Sequence, residues 1–113
     1  MAVTEYTSSS TTPVVGTETT LATIAVAGIF LLRPDLVNLV AGDIVEFRVY
    51  AKCRVATDAE RLKDGPASFG PIVPDEKLPD TLPIVSSGYV RYSILQRTGT
   101  ARAFPWVVLS TGA

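Results

Sequence analysis

The stretch "TLATIAVAGIFLLRPDL", residues 20–36, decides the fold. Its centre, Leu21 to Leu32, runs twelve residues without a charge. A helix across a bilayer needs about 20 apolar residues, and this run stops at Arg33-Pro34-Asp35. It also starts too late for a secretory signal, behind a polar, Thr-rich segment with no basic residue. The expectation is a soluble chain with no membrane partner. A buried helix would carry Gly28 near its centre and β-branched Thr20, Thr23, Ile24, Val26 and Ile29 along its length. Those residues are poor helix formers and good strand formers. The stretch therefore reads as two core strands, about 17–26 and 29–35, with a bend at Ala27-Gly28 that glycine permits.

Working outward, "DIVEFRVYAKCR" (43–54) alternates with period two. Val45, Phe47, Val49, Ala51 and Cys53 fall on one face, and Glu46, Arg48, Tyr50 and Lys52 on the other, which predicts a half-buried strand with one wet face. On that reading Cys53 is a small buried hydrophobe and Glu46 a solvated charge. "GYVRYSILQR" (88–97) alternates in the same way. The "TGT" turn at 98–100 then predicts a C-terminal hairpin with "ARAFPWVVLST" (101–111). The last run is apolar on both faces, and Trp106 is expected to be buried beside Phe104 and Val108.

Between these strands lies "DGPASFGPIVPDEKLPDTLP" (64–83), which holds five of the eight prolines. Proline lacks the ladder N–H, so no central strand or helix is expected here. Phe69, Ile72, Val73, Leu78, Leu82 and Ile84 are spaced along it, and too many apolar anchors are present for a flexible linker. A packed, extended loop is predicted, with a short edge strand at 82–86. The fold class expected is all-β: an antiparallel β-sandwich, jelly-roll-like, with a proline-rich loop and an extended N-terminal arm.

Composition narrows the chemistry. A chain of 113 residues, 47% apolar and 19% charged, is one globular domain. Its net charge of −1, from ten basic and eleven acidic residues, offers no footprint for nucleic acid. There is no histidine and only one cysteine, so no intramolecular disulfide forms, and the usual metal ligand and proton shuttle are missing. No catalytic residue, cofactor or metal is expected. Asp75, Glu76 and Asp80 could in principle run acid–base chemistry or hold calcium through oxygen ligands, but a proline-rich loop favours solvated charges. Trp106, Tyr89, Tyr92, Tyr50 and Tyr6 are the rings a carbohydrate platform would use.

Ten of the first twenty residues are Ser or Thr, with Val3, Tyr6, Val14 and Val15 between them. Residues 1–18 are expected to form an extended arm that adds to another subunit's sheet edge, and 19–113 the single sandwich domain.

"GDIVEFRVY" (42–50) and "GTARAFPWVVL" (99–109) resemble small β-sandwich virion proteins of tailed bacteriophages. In those proteins a G-D-x-V-E-x-R-x-Y strand and a G-T-x-R-x-F-P-W hairpin recur. The likeness covers chiefly residues 20–54 and 88–109, and leaves out the arm and the proline loop. It implies a capsid decoration (cement) protein or another minor virion component at the capsid surface, without catalytic residues. The partners expected are the major capsid protein and sister copies in a dimer or trimer. Val3, Tyr6, Val14, Phe69 and Ile72 are the interface candidates. The rival expectation is a carbohydrate-binding or tail-associated adhesion module, and a hydrolase using the acidic loop comes third.

Overall fold

A computed structural model of the chain describes residues 3–111. They form eight strands: β1 (Val3–Thr11), β2 (Thr19–Ile24), β3 (Ala27–Pro34), β4 (Ile44–Ala51), β5 (Arg61–Phe69), β6 (Ile84–Ser87), β7 (Val90–Thr98) and β8 (Phe104–Thr111). The strands make two antiparallel four-stranded sheets. The first has the order β1-β8-β3-β6 and the second β2-β7-β4-β5. No helix among the described residues is long and apolar enough to cross a membrane.

The pairing has a simple logic. β1 lies on β8, β2 on β7, β3 on β6 and β4 on β5. The chain is one long hairpin, turning between β4 and β5, rolled so that its two halves alternate between the sheets. The antiparallel all-β sandwich expected from the sequence is the fold observed. The long apolar run divides into two strands as expected, but the break falls at Ala25-Val26 and not at Ala27-Gly28: β2 ends at Ile24, β3 starts at Ala27, and Gly28, at φ +150°, is already paired with Ser86. Ala25 and Val26 carry the chain from the second sheet to the first. Between the sheets Ile24, Phe30, Leu32, Val45, Phe47, Val49, Val90, Tyr92, Ile94, Phe104, Trp106 and Val108 form a continuous core. Each such side chain contributes roughly 1.5–3 kcal/mol by leaving water.

Four further expectations are corrected. β7 and β8 do not form a hairpin. After Gly99 the chain crosses to the other sheet, because the rolled hairpin gives β7 to β2 and β4, and β8 to β1 and β3. Cys53 is exposed, since β4 ends at Ala51 and the chain has already turned away. Residues 64–69 of the proline segment belong to a strand, β5, which tolerates Pro66 because it is the edge of its sheet. The short strand expected at 82–86 is β6, the opposite sheet's edge.

The fourth concerns the arm. Met1 and Ala2 lie outside the described residues, but Val3–Thr11 run along β8 of the same chain as β1. Three groups tie this segment down. Tyr6 packs edge-on against Phe30 with centroids 5.2 Å apart, the Trp106 Nε1–H donates to Thr11 Oγ1 at 2.9 Å, and Pro13 is fully buried. A Ser/Thr-rich segment looked unanchored because ladder hydrogen bonds do not depend on side-chain type. Six of the first seven β1 residues are exposed, so the ladder supplies most of the hold.

Candidate functional site

The two outer faces of the sandwich differ in kind. On the second sheet, the expected wet face is a closed lattice of charges. Glu18, just ahead of β2, accepts hydrogen bonds from Tyr50 (2.7 Å), Ser93 (2.5 Å) and Arg48 (3.2 Å). Arg48 reaches on to Glu46, which also holds Arg97. Arg91 donates to both oxygens of Glu60 at 3.0 and 2.6 Å and to Thr20 at 2.8 Å, and its guanidinium stacks 4.2 Å over the Tyr50 ring. The Tyr89 hydroxyl completes the Glu60 shell at 2.5 Å. Glu46 is thus no solvated charge: it is only 7% exposed, covered by the two arginines that neutralise it.

Electrostatics follow from these contacts. The Arg91 fork, with the Tyr89 hydrogen bond, pulls Glu60 from the ordinary 4.5 down to about 2. Burial alone would raise Glu18, but hydrogen bonds from Ser93 and Tyr50 and the nearby Arg48 and Arg91 outweigh it and lower its pKa. Both carboxylates stay anionic around neutral pH with their acceptor sites taken, so neither has a proton to give. Because the folded pKa of Glu60 is depressed, its contribution is complete above the unfolded value and fades as pH falls toward about 2. Glu60→Gln should therefore cost about 1–2 kcal/mol near neutrality, after discounting for solvent screening. Urea melts of both proteins near pH 7 and near pH 2 check this. The gap should close at the acid end, and a gap that stays constant would remove the ion pair as its source.

The first sheet is the reverse. β3 and β8 bury alternate residues inward (Phe30, Leu32; Phe104, Trp106, Val108) and carry Ile29, Leu31, Pro105, Val107 and Leu109 outward. Cross-strand register sets Leu31 opposite Leu109, Ile29 opposite Val85, and Arg33 opposite Val107. Val3 on β1 extends the patch at the Thr111 end. Charge enters this face at two places: Glu5 on β1, opposite Leu109 and holding the Ser8 hydroxyl, and Arg33, whose guanidinium forks onto Asp80 at 2.7 and 3.0 Å. Strands that are apolar on both faces belong to sheets covered on both faces, yet nothing among the described residues covers this one.

The expected interface residues are distributed as follows. Val3 joins the apolar face, and Val14 is exposed beyond β1. Tyr6 spends one edge of its ring on Phe30. Phe69 packs against the core, with its ring centroid 6.1 Å from that of Phe47, so it is a core residue more than a surface one. Ile72 stands on the proline loop, 85% exposed. Asp75, Glu76 and Asp80 do not converge. Asp80 is committed to Arg33, and no group of three His, Cys, Asp or Glu among the described residues could hold a metal ion. Of the aromatic candidates, Trp106 and Tyr92 are buried, and Tyr50 and Tyr89 each carry a cation on one face, from Arg91 and Lys52. The apolar face itself was missed, although both-faced apolarity in "GIFLL" and "FPWVVL" is its signal in the sequence.

No protein-family model, curated protein or solved structure matches this chain.

Proposed function

We propose that the protein is a structural component of a virion, a decoration protein that docks on the head shell of a tailed bacteriophage and stiffens it. The observation that carries the reading is the uncovered apolar outer face of the β1-β8-β3-β6 sheet, set against a charged face that satisfies itself. A large exposed apolar patch marks an interaction surface, and it needs no reactive group. The strand orders support a jelly-roll reading of the sandwich, since eight strands rolled as one folded hairpin are the arrangement that viral capsid and lectin domains share. The sequence likeness to small virion proteins points to the capsid member of that pair. The lectin alternative is weakened by the disposition of the rings, because a sugar platform needs flat faces open to solvent and Arg91 and Lys52 occupy two of them.

The test is co-sedimentation with undecorated shells. Leu31→Glu combined with Leu109→Lys places opposite charges directly across the ladder, so the sheet keeps a favourable pair while its apolar face is lost. The native chain should coat the shells and the double variant should not, with a melting temperature close to the parent's. A variant that still coats shells at full occupancy, or a native chain that never does, would overturn the proposal.

A further inference from the structure

Six of the ten basic residues, Arg33, Arg48, Arg54, Arg91, Arg97 and Arg102, are held in ion pairs. Among the described residues the other four form no ion pair, and one of them, Lys77, caps the Pro74 carbonyl at 2.6 Å. The remaining three line a single groove: Arg61, Lys63 and Lys52, the last resting 4.4 Å over the Tyr89 ring with its charge acting on Glu60. It consists of two adjoining hollows of about 220 and 320 Å³, which share Lys63 and open between the two free sheet edges β5 and β6. Leu62, Leu82 (71% exposed) and Val85 (74% exposed) make its apolar wall. Asp64 is the one carboxylate lining it.

The matching surface is elsewhere on the same chain. The proline loop (70–83) is pinned by three backbone bonds, Gly42 N–H to Pro71 O, Leu36 N–H to Lys77 O and Thr81 N–H to Leu32 O, each 2.8–2.9 Å. Between the first two pins it presents Ile72, the most exposed of the large hydrophobics, with Asp75 and Glu76, both exposed and without an ion pair among the described residues. The Ile72–Glu76 stretch is seated at the Asp43 end of β4, while the groove runs from Val49 past Ala51, roughly 20 Å further along the strand, and only the far end of the loop, Leu82 and Pro83, joins its wall. Held by the pins on either side of it, the Ile72–Glu76 stretch does not line the groove of its own copy.

We infer that the groove between β5 and β6 receives the Ile72–Glu76 loop of a second copy of this chain. Ile72 enters between Leu62, Leu82 and Val85, while Asp75 and Glu76 meet Lys52, Arg61 and Lys63. The pinned loop loses little freedom on docking, which favours association. Basic residues on an open edge also deter edge-to-edge pairing, and an acidic loop is the partner that deterrent does not exclude. Because two different surfaces meet, the contact is head-to-tail and closes into a ring or continues as a chain. It takes only Val85 from the apolar sheet face and only Lys52 from the margin of the charged lattice, so a ring formed this way leaves the β3–β8 part of that face free. The inference rests on the reading of the chain as an assembly protein, and its test uses the isolated protein so that shell binding is scored separately.

Sedimentation velocity across a concentration series, at low and at high salt, should show the native chain self-associating, more weakly as salt rises. Arg61→Glu with Lys63→Glu should weaken association by roughly tenfold or more, through like charges facing Asp75 and Glu76. Adding Asp75→Lys and Glu76→Lys to the same chain should restore it, which a misfolded variant would not do. A native chain that stays monomeric, a charge reversal without effect, or a four-fold swap that fails to restore association would each overturn the inference. Loss of shell binding with self-association intact would instead strike the decoration role alone.

Discussion

Phe47→Ala should lower the stability of the domain by about 3–5 kcal/mol, the cost of removing a large ring and leaving a partly unfilled cavity. Phe47 is 2% exposed at the middle of β4, and Phe69 leans on it from β5. β4 is an inner strand, paired with β7 on one side and β5 on the other, so the surroundings cannot easily collapse into the gap. The neighbouring Glu46→Ala should cost about 1–2 kcal/mol, because Arg48 and Arg97 lose a shared carboxylate in a half-dry setting. Urea midpoints for the two variants measure both effects. Equal midpoints would remove the assignment of Phe47 to the core face, and an unchanged Glu46→Ala would show that the lattice contributes nothing.

The alternation in "DIVEFRVYAKCR" was enough to find β4 and its inward face, since period-two patterning depends only on local geometry. It could not reveal that Glu46 is covered, because Arg48 alone leaves the carboxylate open and the second arginine, Arg97, arrives only when β7 pairs with β4. The same limit explains the missing C-terminal hairpin. A Gly-containing turn between two strands reads alike whether the chain doubles back in one sheet or crosses to the other, and here the partners come from the opposite half of the chain. Proline located the edges only in part. Pro66 lies on β5 and Pro83 just ahead of β6, both edge strands, but Pro34 and Pro105, the latter read from sequence as an edge or bulge position, lie on β3 and β8, which are paired on both sides.

Of the candidate surfaces, the exposed Ile72 and Val3 were legible as apolar residues in polar company. The apolar sheet face was not recognised, because a both-faced apolar strand looks in sequence like a strand buried on both faces by its own domain. Only the count of layers separates the two cases. With two sheets among the described residues, each has one covered face, and "GIFLL" and "FPWVVL" carry apolar groups for a second cover that those residues do not provide. The groove was beyond reach for a different reason. Lys52, Arg61 and Lys63 are unremarkable in sequence and become distinctive only when every other arginine is seen to be paired.

The end of the sandwich that holds the proline loop depends on a close approach of backbones. Gly70 has φ +103°, and a Cβ placed on it would sit 1.9 Å from the Asp43 carbonyl oxygen, with Ile44 Cα 3.2 Å away. Asp43 cannot move aside, because its carboxylate is bound by Arg102 at 2.6 Å and by the Val40 N–H at 3.1 Å, and it is only 2% exposed. Burial would raise its pKa, but the Arg102 hydrogen bond and charge together with the Val40 and Thr100 backbone hydrogen bonds outweigh that and lower it, so the anchor remains charged at neutral pH. Gly70→Ala must therefore unseat either the loop or the start of β4, and should cost above about 3 kcal/mol, more than positive φ alone. Gly42→Ala supplies the comparison. Its φ is +96°, but a Cβ there meets nothing within 4 Å, so it should cost only the backbone strain, about 1–2 kcal/mol. Melts of both variants separate strain from collision. If the two lose the same amount, the contact between Gly70 and Asp43 is not what seats the loop, and the presentation of Ile72, Asp75 and Glu76 must rest on the Leu36 and Thr81 hydrogen bonds instead.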